Sequence, residues 1–224
     1  MSYALLLFDY DGTLCNSEAA ILFSLRRVFA HYRMPVPSEA ELARVVGLGL
    51  PSPDSLQALH PALAGDELAE WLLTYRGIYS NEGEALVQPF DGARDVLAAA
   101  QAQGVAVAVV SNKGAATLEE SLSRLGLRAY VQLLVGDGSY PDQQLPLKPS
   151  PVLYEQVIRP HFAPILPAAT LMLGDTTTDL LFARNCGLDA CWARYGFGDA
   201  DGCRALQPKY QIGSLRDVLE LLAK

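Results

Sequence analysis

Asp9 and Asp11 stand two residues apart directly after the apolar run 3–8. In near-extended backbone that spacing lets both carboxylates project to one side. Unpaired, the two charges repel, so the pair calls for a bound divalent cation or a raised pKa on one member, and hard oxygen ligands favour Mg²⁺. A second acidic group, Gly174-Asp175-Thr176-Thr177-Thr178-Asp179, follows another apolar run and puts Asp179 in the first turn of the next helix. Four carboxylates in one cleft need a cation. The plainer reading is a solvated turn for the first pair and, for the second, helix capping by the threonines.

Two further groups suit a phosphoryl ligand. Ser111 and Asn112 precede a predicted helix whose first amides offer an anion site, with Lys113 or a more distant lysine adding charge. Plain N-capping is the structural alternative. Lys148 lies in Leu145-Pro146-Leu147-Lys148-Pro149-Ser150-Pro151, where prolines stiffen the loop and can aim a side chain that is ordinarily solvated.

The elements that must position these residues alternate. Apolar runs 3–8, 105–110, 132–135 and 170–173 each end in small polar residues, and are too short for globular helices. Between or after them, 92–103, 115–125, 151–158 and 179–186 carry apolar residues on a helical period. Strands alternating with helices predict an α/β fold, a Rossmann-like parallel sheet with both faces covered. Ligands of open parallel sheets sit beyond the carboxyl ends of the strands, where the polar residues fall. Residues 17–84 break the alternation, with amphipathic helices at 18–32, 38–46, 52–59 and 66–79 and no strand-like run. This predicts an inserted all-helical cap (17–84) on a core of 1–16 and 85–224, with hinges near Asn16 and between Glu84 and Pro89.

Composition narrows the class. Half of the 224 residues are apolar, enough for a full core. Seventeen basic against 25 acidic residues give a net charge of -8, which disfavours a nucleic-acid surface. No apolar run reaches a membrane span, and Asp9 and Asp11 interrupt any secretory core, so a cytoplasmic protein without a membrane partner is expected. Cys15, Cys186, Cys191 and Cys203 show no metal spacing and are expected as reduced thiols, with Cys15 a packing residue. His31, His60 and His161 are scattered and read as structural.

The ordered set of an apolar strand then DYDGTL, later SNK, KPSP and GDTTTD, resembles the haloacid dehalogenase superfamily over essentially the whole chain. The segment Val46-Gly47-Leu48-Gly49-Leu50-Pro51 and the tail 192–212 resemble its phosphoglycolate phosphatase-like branch. The resemblance implies that Asp9 is a nucleophile attacking phosphorus and Asp11 the acid/base. It implies Mg²⁺ held by Asp9, Asp175 and the backbone carbonyl of Asp11, with Asp179 in direct, water-mediated or outer contact. Ser111 and the amide of Asn112 would hold phosphoryl oxygens, and Lys148 would offset charge on the nucleophile and transferring group. Tyr10 departs from the family's usual aliphatic residue, and the approach from Gly136 to Lys148 is long. Arg26, Arg27, Arg33 and Arg44 are candidate substrate contacts, with surface charge the plainer reading.

The expected function is hydrolysis of a small phosphorylated metabolite, phosphoglycolate-like. A phosphomutase, in which the cap keeps water from the phosphoenzyme, and a non-catalytic binding protein on the same fold are the alternatives. Loss of Asp9, Asp11, Lys148 or Asp175 would have favoured the binder, and all four are present.

Overall fold

The apolar runs become the strands of one sheet. In a computed structural model, which describes residues 3–222, six strands lie parallel in the order β5-β4-β1-β6-β7-β8. They are β1 (Leu5–Phe8), β4 (Ala106–Gly114), β5 (Leu133–Asp137), β6 (Thr170–Gly174), β7 (Asp189–Ala193) and β8 (Tyr210–Ile212). All four residues of β1 are buried, because the sheet is covered on both faces. Leu6 and Phe8 pack into one apolar cluster and Leu5 and Leu7 into the other, as the two-residue period requires. Helices α5 (Ala93–Ala102) and α6 (Ala115–Arg124) supply the first cluster, and α8 (Thr177–Cys186) brings Phe182 to the second.

The strand order decides where the polar residues go. Phe8 is in register with Val109 of β4 on one side and Leu173 of β6 on the other. The residues that follow these three positions therefore emerge side by side. The chain passes from β1 to β4 and β5, then crosses back over β1 to β6, so these strand ends form a topological switch point.

Four helices, α1 (Glu18–His31), α2 (Glu39–Val46), α3 (Ser52–Leu59) and α4 (Gly65–Ile78), stand between two short strands. These, β2 (Cys15–Asn16) and β3 (Gln88–Pro89), pair antiparallel, so the chain leaves and re-enters the sheet layer through one narrow ribbon. α2 opens with a capping box in which Ser38 and Glu41 satisfy each other's backbone donors. The helices close on Trp71, which packs edge-on against Phe29 at 5.1 Å and stacks on Tyr32 at 4.4 Å. His60 tilts against the same ring at 5.6 Å and is a packing residue. A π-turn, Tyr79–Gly83, ends α4, and Glu84 after it is held by Arg124 of α6 at 2.8 Å.

Several boundaries differ from the sequence reading. β4, expected to end at Val110, continues through Ser111-Asn112-Lys113 to Gly114, so the following helix begins at Ala115 as its period predicts but is preceded by Gly114 and is not capped by Ser111 or Asn112. The segment 151–158 holds a π-turn, Tyr154–Ile158, running into the short α7 (Arg159–His161). The tail 192–212, given no elements from sequence, holds the end of β7, the helix α9 (Ala200–Ala205) and β8, before α10 (Val218–Leu222). Residues 1, 2, 223 and 224 of the expected core lie outside the described residues. Cys15, Cys191 and Cys203 are buried as free thiols. No helix among the described residues is long and apolar enough to cross a membrane.

Leu7, fully buried on the central strand, tests this packing. Leu7→Ala should lower unfolding free energy by about 2–5 kcal/mol in urea titration, through lost burial and a residual cavity. A loss below about 0.5 kcal/mol, the range of ordinary surface substitutions, would contradict the two-sided burial of β1.

Candidate active site

Asp9 is the first residue beyond β1, and its backbone N–H donates to the Leu173 carbonyl of β6 at 2.9 Å. That bond keeps the chain extended for one residue more and sends the Asp9 side chain into the cleft. Lys148 reaches it from the proline-stiffened loop, placing Nζ 2.7 Å from Asp9 Oδ1 and 2.6 Å from Asp179 Oδ1. Both ion pairs are almost wholly buried. Among the described residues no donor takes Asp9 Oδ2, and Asp9 lines a cavity of about 80 Å³.

Asp175 follows β6 and is fully buried. Thr13 Oγ1 donates to its Oδ1 at 3.2 Å and the Phe197 amide to its Oδ2 at 2.8 Å. Two glycines make room for it. Gly12 has φ of 79°, and a Cβ there would stand 2.1 Å from Asp175 Oδ2; a Cβ on Gly196 would stand 2.3 Å from Asp175 Cβ. Asp179 accepts from the Thr176 amide at 3.1 Å and Thr176 Oγ1 at 2.7 Å through Oδ2, closing a capping box at the start of α8. The capping alternative and the acidic-cluster reading therefore both describe this residue, one through each oxygen.

Asp9, Asp175 and Asp179 offer carboxylate oxygens within 4.8 Å of one another, all buried. One ammonium serves these three charges. Burial pushes the Asp9 carboxyl up to about 7, with Lys148 pulling it down and the Asp179 and Asp11 charges pushing it further up. Asp175 is raised well above the carboxylate range, first by burial, then by Asp179 and Asp9. For Lys148 burial opposes the charged form, and the Asp179 and Asp9 carboxylates overcome it, so its pKa stands above the usual lysine value. An all-oxygen, charge-excess cluster fits a hard divalent cation. The Asp11 side chain is outside this trio.

Asp11 instead meets Lys113, whose Nζ lies 3.1 and 3.3 Å from its two oxygens. The same ammonium stands 3.9 Å from the centroid of the Tyr79 ring, on the π-turn that follows α4. Lys113, left open from sequence as one possible charge donor, is thus committed to Asp11. Ser111 is buried beside Asp9, and Asn112 Nδ2 donates to the carbonyls of Gly49 at 3.0 Å and Lys148 at 3.1 Å. Asn112 therefore ties the sheet to both the lysine loop and the segment after α2. Its Oδ1 is buried and, among the described residues, has no partner.

Asp9, Asp11, Ser111, Asn112, Lys148 and Asp179 all line the one cavity, with Asp175 packed behind it. Arg26, Arg27, Arg33 and Arg44 do not line it; Arg26 pairs with Glu39 and Arg27 with Glu82 on the surface. Unforeseen from sequence are Phe197, whose amide holds Asp175, and Tyr75 of α4, buried at the cavity wall. The Gly-x-Gly spacing at 196–198 was the available signal for the first; nothing local singles out the second.

The family profile described as haloacid dehalogenase-like hydrolase matches residues 6–193. Among characterised proteins, the chain is 32% identical over 202 residues to tyrosine-protein kinase PtkA of Mycobacterium tuberculosis, covering 88% of this chain but only 64% of that protein. It is 27% identical to pyrophosphatase PpaX of Halalkalibacterium halodurans, covering 96% of this chain and 95% of that one. Identity to a phosphoglycolate phosphatase of Neisseria meningitidis is 28%, over 96% and 92% of the two chains. A crystal structure from Haemophilus somnus, described as a predicted phosphoglycolate phosphatase, superposes with a TM-score of 0.86 at 23% identity, covering 99% and 98% of the two chains, and so shares the fold. With the motifs of β1, β4, β6 and the lysine loop meeting in one cavity, the chain belongs to the haloacid dehalogenase-like hydrolases.

Proposed function

We propose that this chain is a Mg²⁺-dependent phosphatase of small phosphomonoesters, with residues 17–84 acting as a cap over a core of 1–16 and 85–224. The observation that carries the reading is the state of Asp9: one oxygen is held by Lys148 at 2.7 Å and the other is open to the cavity. The phosphatases among its relatives favour hydrolysis, and phosphoglycolate, named for one of them, is the first ester to try.

In this reading Asp9 Oδ2 attacks phosphorus in line, and the bond from phosphorus to the alkoxy oxygen breaks. The departing oxygen takes its electron pair and receives a proton from Asp11, leaving an aspartyl-phosphate. Water then attacks phosphorus, Asp11 accepts its proton, and the Asp9 carboxylate is released with phosphate. Ser111 and the Asn112 amide hold phosphoryl oxygens, while Lys148 offsets charge on Asp9 and on the transferring group. Asp9 and Asp175 would hold the Mg²⁺, with the Asp11 carbonyl, and Asp179 would steady Lys148 and the start of α8. The ion's part is to offset the negative charge that otherwise keeps a phosphate dianion from an acidic nucleophile. Closure of the cap about the β2–β3 ribbon would exclude water during the first half.

Three outcomes test this. Asp9→Asn should lose at least about 10³-fold in kcat for phosphate release while keeping the native circular dichroism spectrum; near-normal turnover with Mg²⁺ would refute the nucleophile. Asp11→Asn should fail on alkyl esters yet lose much less on nitrophenyl phosphate, whose leaving group needs no proton. Equal losses on both esters would count against the acid role. Finally, the raised carboxyls of Asp9 and Asp175 mean that the metal-free folded state binds more protons than the unfolded chain between about pH 4 and 7. Stability should therefore fall as pH rises through that window, and Mg²⁺ should raise Tm more at about pH 8 than at about pH 5. An equal Mg²⁺ effect at both pH values would show that these carboxylates do not bind it.

A further inference from the structure

The half of the cavity supplied by residues 17–84 has a chemical character that points to the leaving group. Ile21 and Leu25 of α1, Val45 and Val46 of α2, and Leu50 give it an apolar wall. The side-chain polar atoms on that side are hydroxyls: Ser52 and Ser55 on α3 and Tyr75 on α4. Among the described residues none of these three hydroxyls has a hydrogen-bond partner, so each can serve a ligand as donor or acceptor.

Among the described residues no cation of the segment 17–84 lines the cavity. Lys148 and Lys113 are the two that line the cavity; the first is shared by Asp9 and Asp179 and the second is held by Asp11. Arg26, Arg27 and Arg76 are paired at the surface with Glu39, Glu82 and Asp137. Asp54 sits in the first turn of α3 and offsets the positive end of that helix beside Ser52 and Ser55. A second anionic group on the substrate would thus leave water for a wall of methyls and hydroxyls, near Asp9 and Asp11, without a counter-charge of its own.

We infer that the ester cleaved here is the phosphate of a small uncharged, hydroxyl-bearing alcohol, with Ser52, Ser55 and Tyr75 as its specificity-determining contacts. The inference rests on the phosphatase reading above and narrows it: the cavity selects against a carboxylate-bearing ester such as phosphoglycolate. Hydroxyls of the alcohol pair with the three protein hydroxyls, and its carbons fill the apolar wall. Because unpaired buried polar groups cost more than missing apolar contact, the discrimination against a charged analogue is large.

The test compares kcat/KM with Mg²⁺ for glycerol 3-phosphate, 2-phosphoglycolate and nitrophenyl phosphate, in the native chain and in Ser55→Arg. The native chain should favour glycerol 3-phosphate over 2-phosphoglycolate by about tenfold or more. Ser55→Arg, which supplies a cation at the wall, should reverse or erase that ratio, with an unchanged circular dichroism spectrum showing that the chain is folded. Equal or better use of 2-phosphoglycolate by the native chain would overturn the inference and leave the phosphatase reading standing. Failure to release phosphate from all three, in folded protein, would overturn both. A ratio unmoved in Ser55→Arg would remove Ser55 from the specificity contacts.

Discussion

Three buried carboxylates within 4.8 Å of one another, facing a single ammonium, are the constraint around which this molecule is built. Left in water such groups would keep apart; buried at the strand ends, their mutual repulsion adds to the cost of desolvation. The cluster persists because each member is also tied down. Asp175 takes a hydroxyl and a backbone amide, Asp179 caps α8, and Lys148 spans Asp9 and Asp179. The remaining negative charge is what a hard divalent cation would offset in the proposed reading.

The fold supplies this arrangement through strand order more than through any single contact. β4, β1 and β6 are neighbours, so Ser111, Asp9 and Asp175 emerge at one edge although they are far apart in sequence. The β2–β3 ribbon then returns the helical insertion to the same edge, where α1 to α4 form the roof of the cavity. Lys113 links the two layers, with Asp11 on one side of its ammonium and the Tyr79 ring on the other. Asp11, the group proposed to handle the leaving-group proton, is thus tied through Lys113 to the turn that ends the helical insertion.

The strands nearest the site were legible because they are buried on both faces and read as uninterrupted apolar runs ended by acids or small polar residues. The helical insertion was legible from its period and from the lack of a strand-like run. The edge strands were not: β7 begins with Asp189 and β8 is three residues long, so neither stands out from a loop. β4 ran past its apolar stretch because Asn112 anchors Ser111-Asn112-Lys113 to two carbonyls from distant segments, a tertiary effect with no local trace. The motifs pointed to Asp9, Asp11, Ser111, Asn112, Lys148 and Asp179, which line one cavity, but not to the pairing of Lys113 with Asp11, since it links residues 102 positions apart. The cavity's outer wall was equally hidden, because which face of each inserted helix turns inward is settled by packing between helices.

The covalent role of Asp9 is the claim on which the account turns. The direct measurement is an acid quench of the Mg²⁺-loaded protein during turnover of an aryl phosphate labelled at phosphorus, followed by digestion and mapping of the label. The account predicts label on the peptide carrying Asp9, released by hydroxylamine as an acyl phosphate is. Label that resists hydroxylamine, or that maps to a peptide without Asp9, would contradict it.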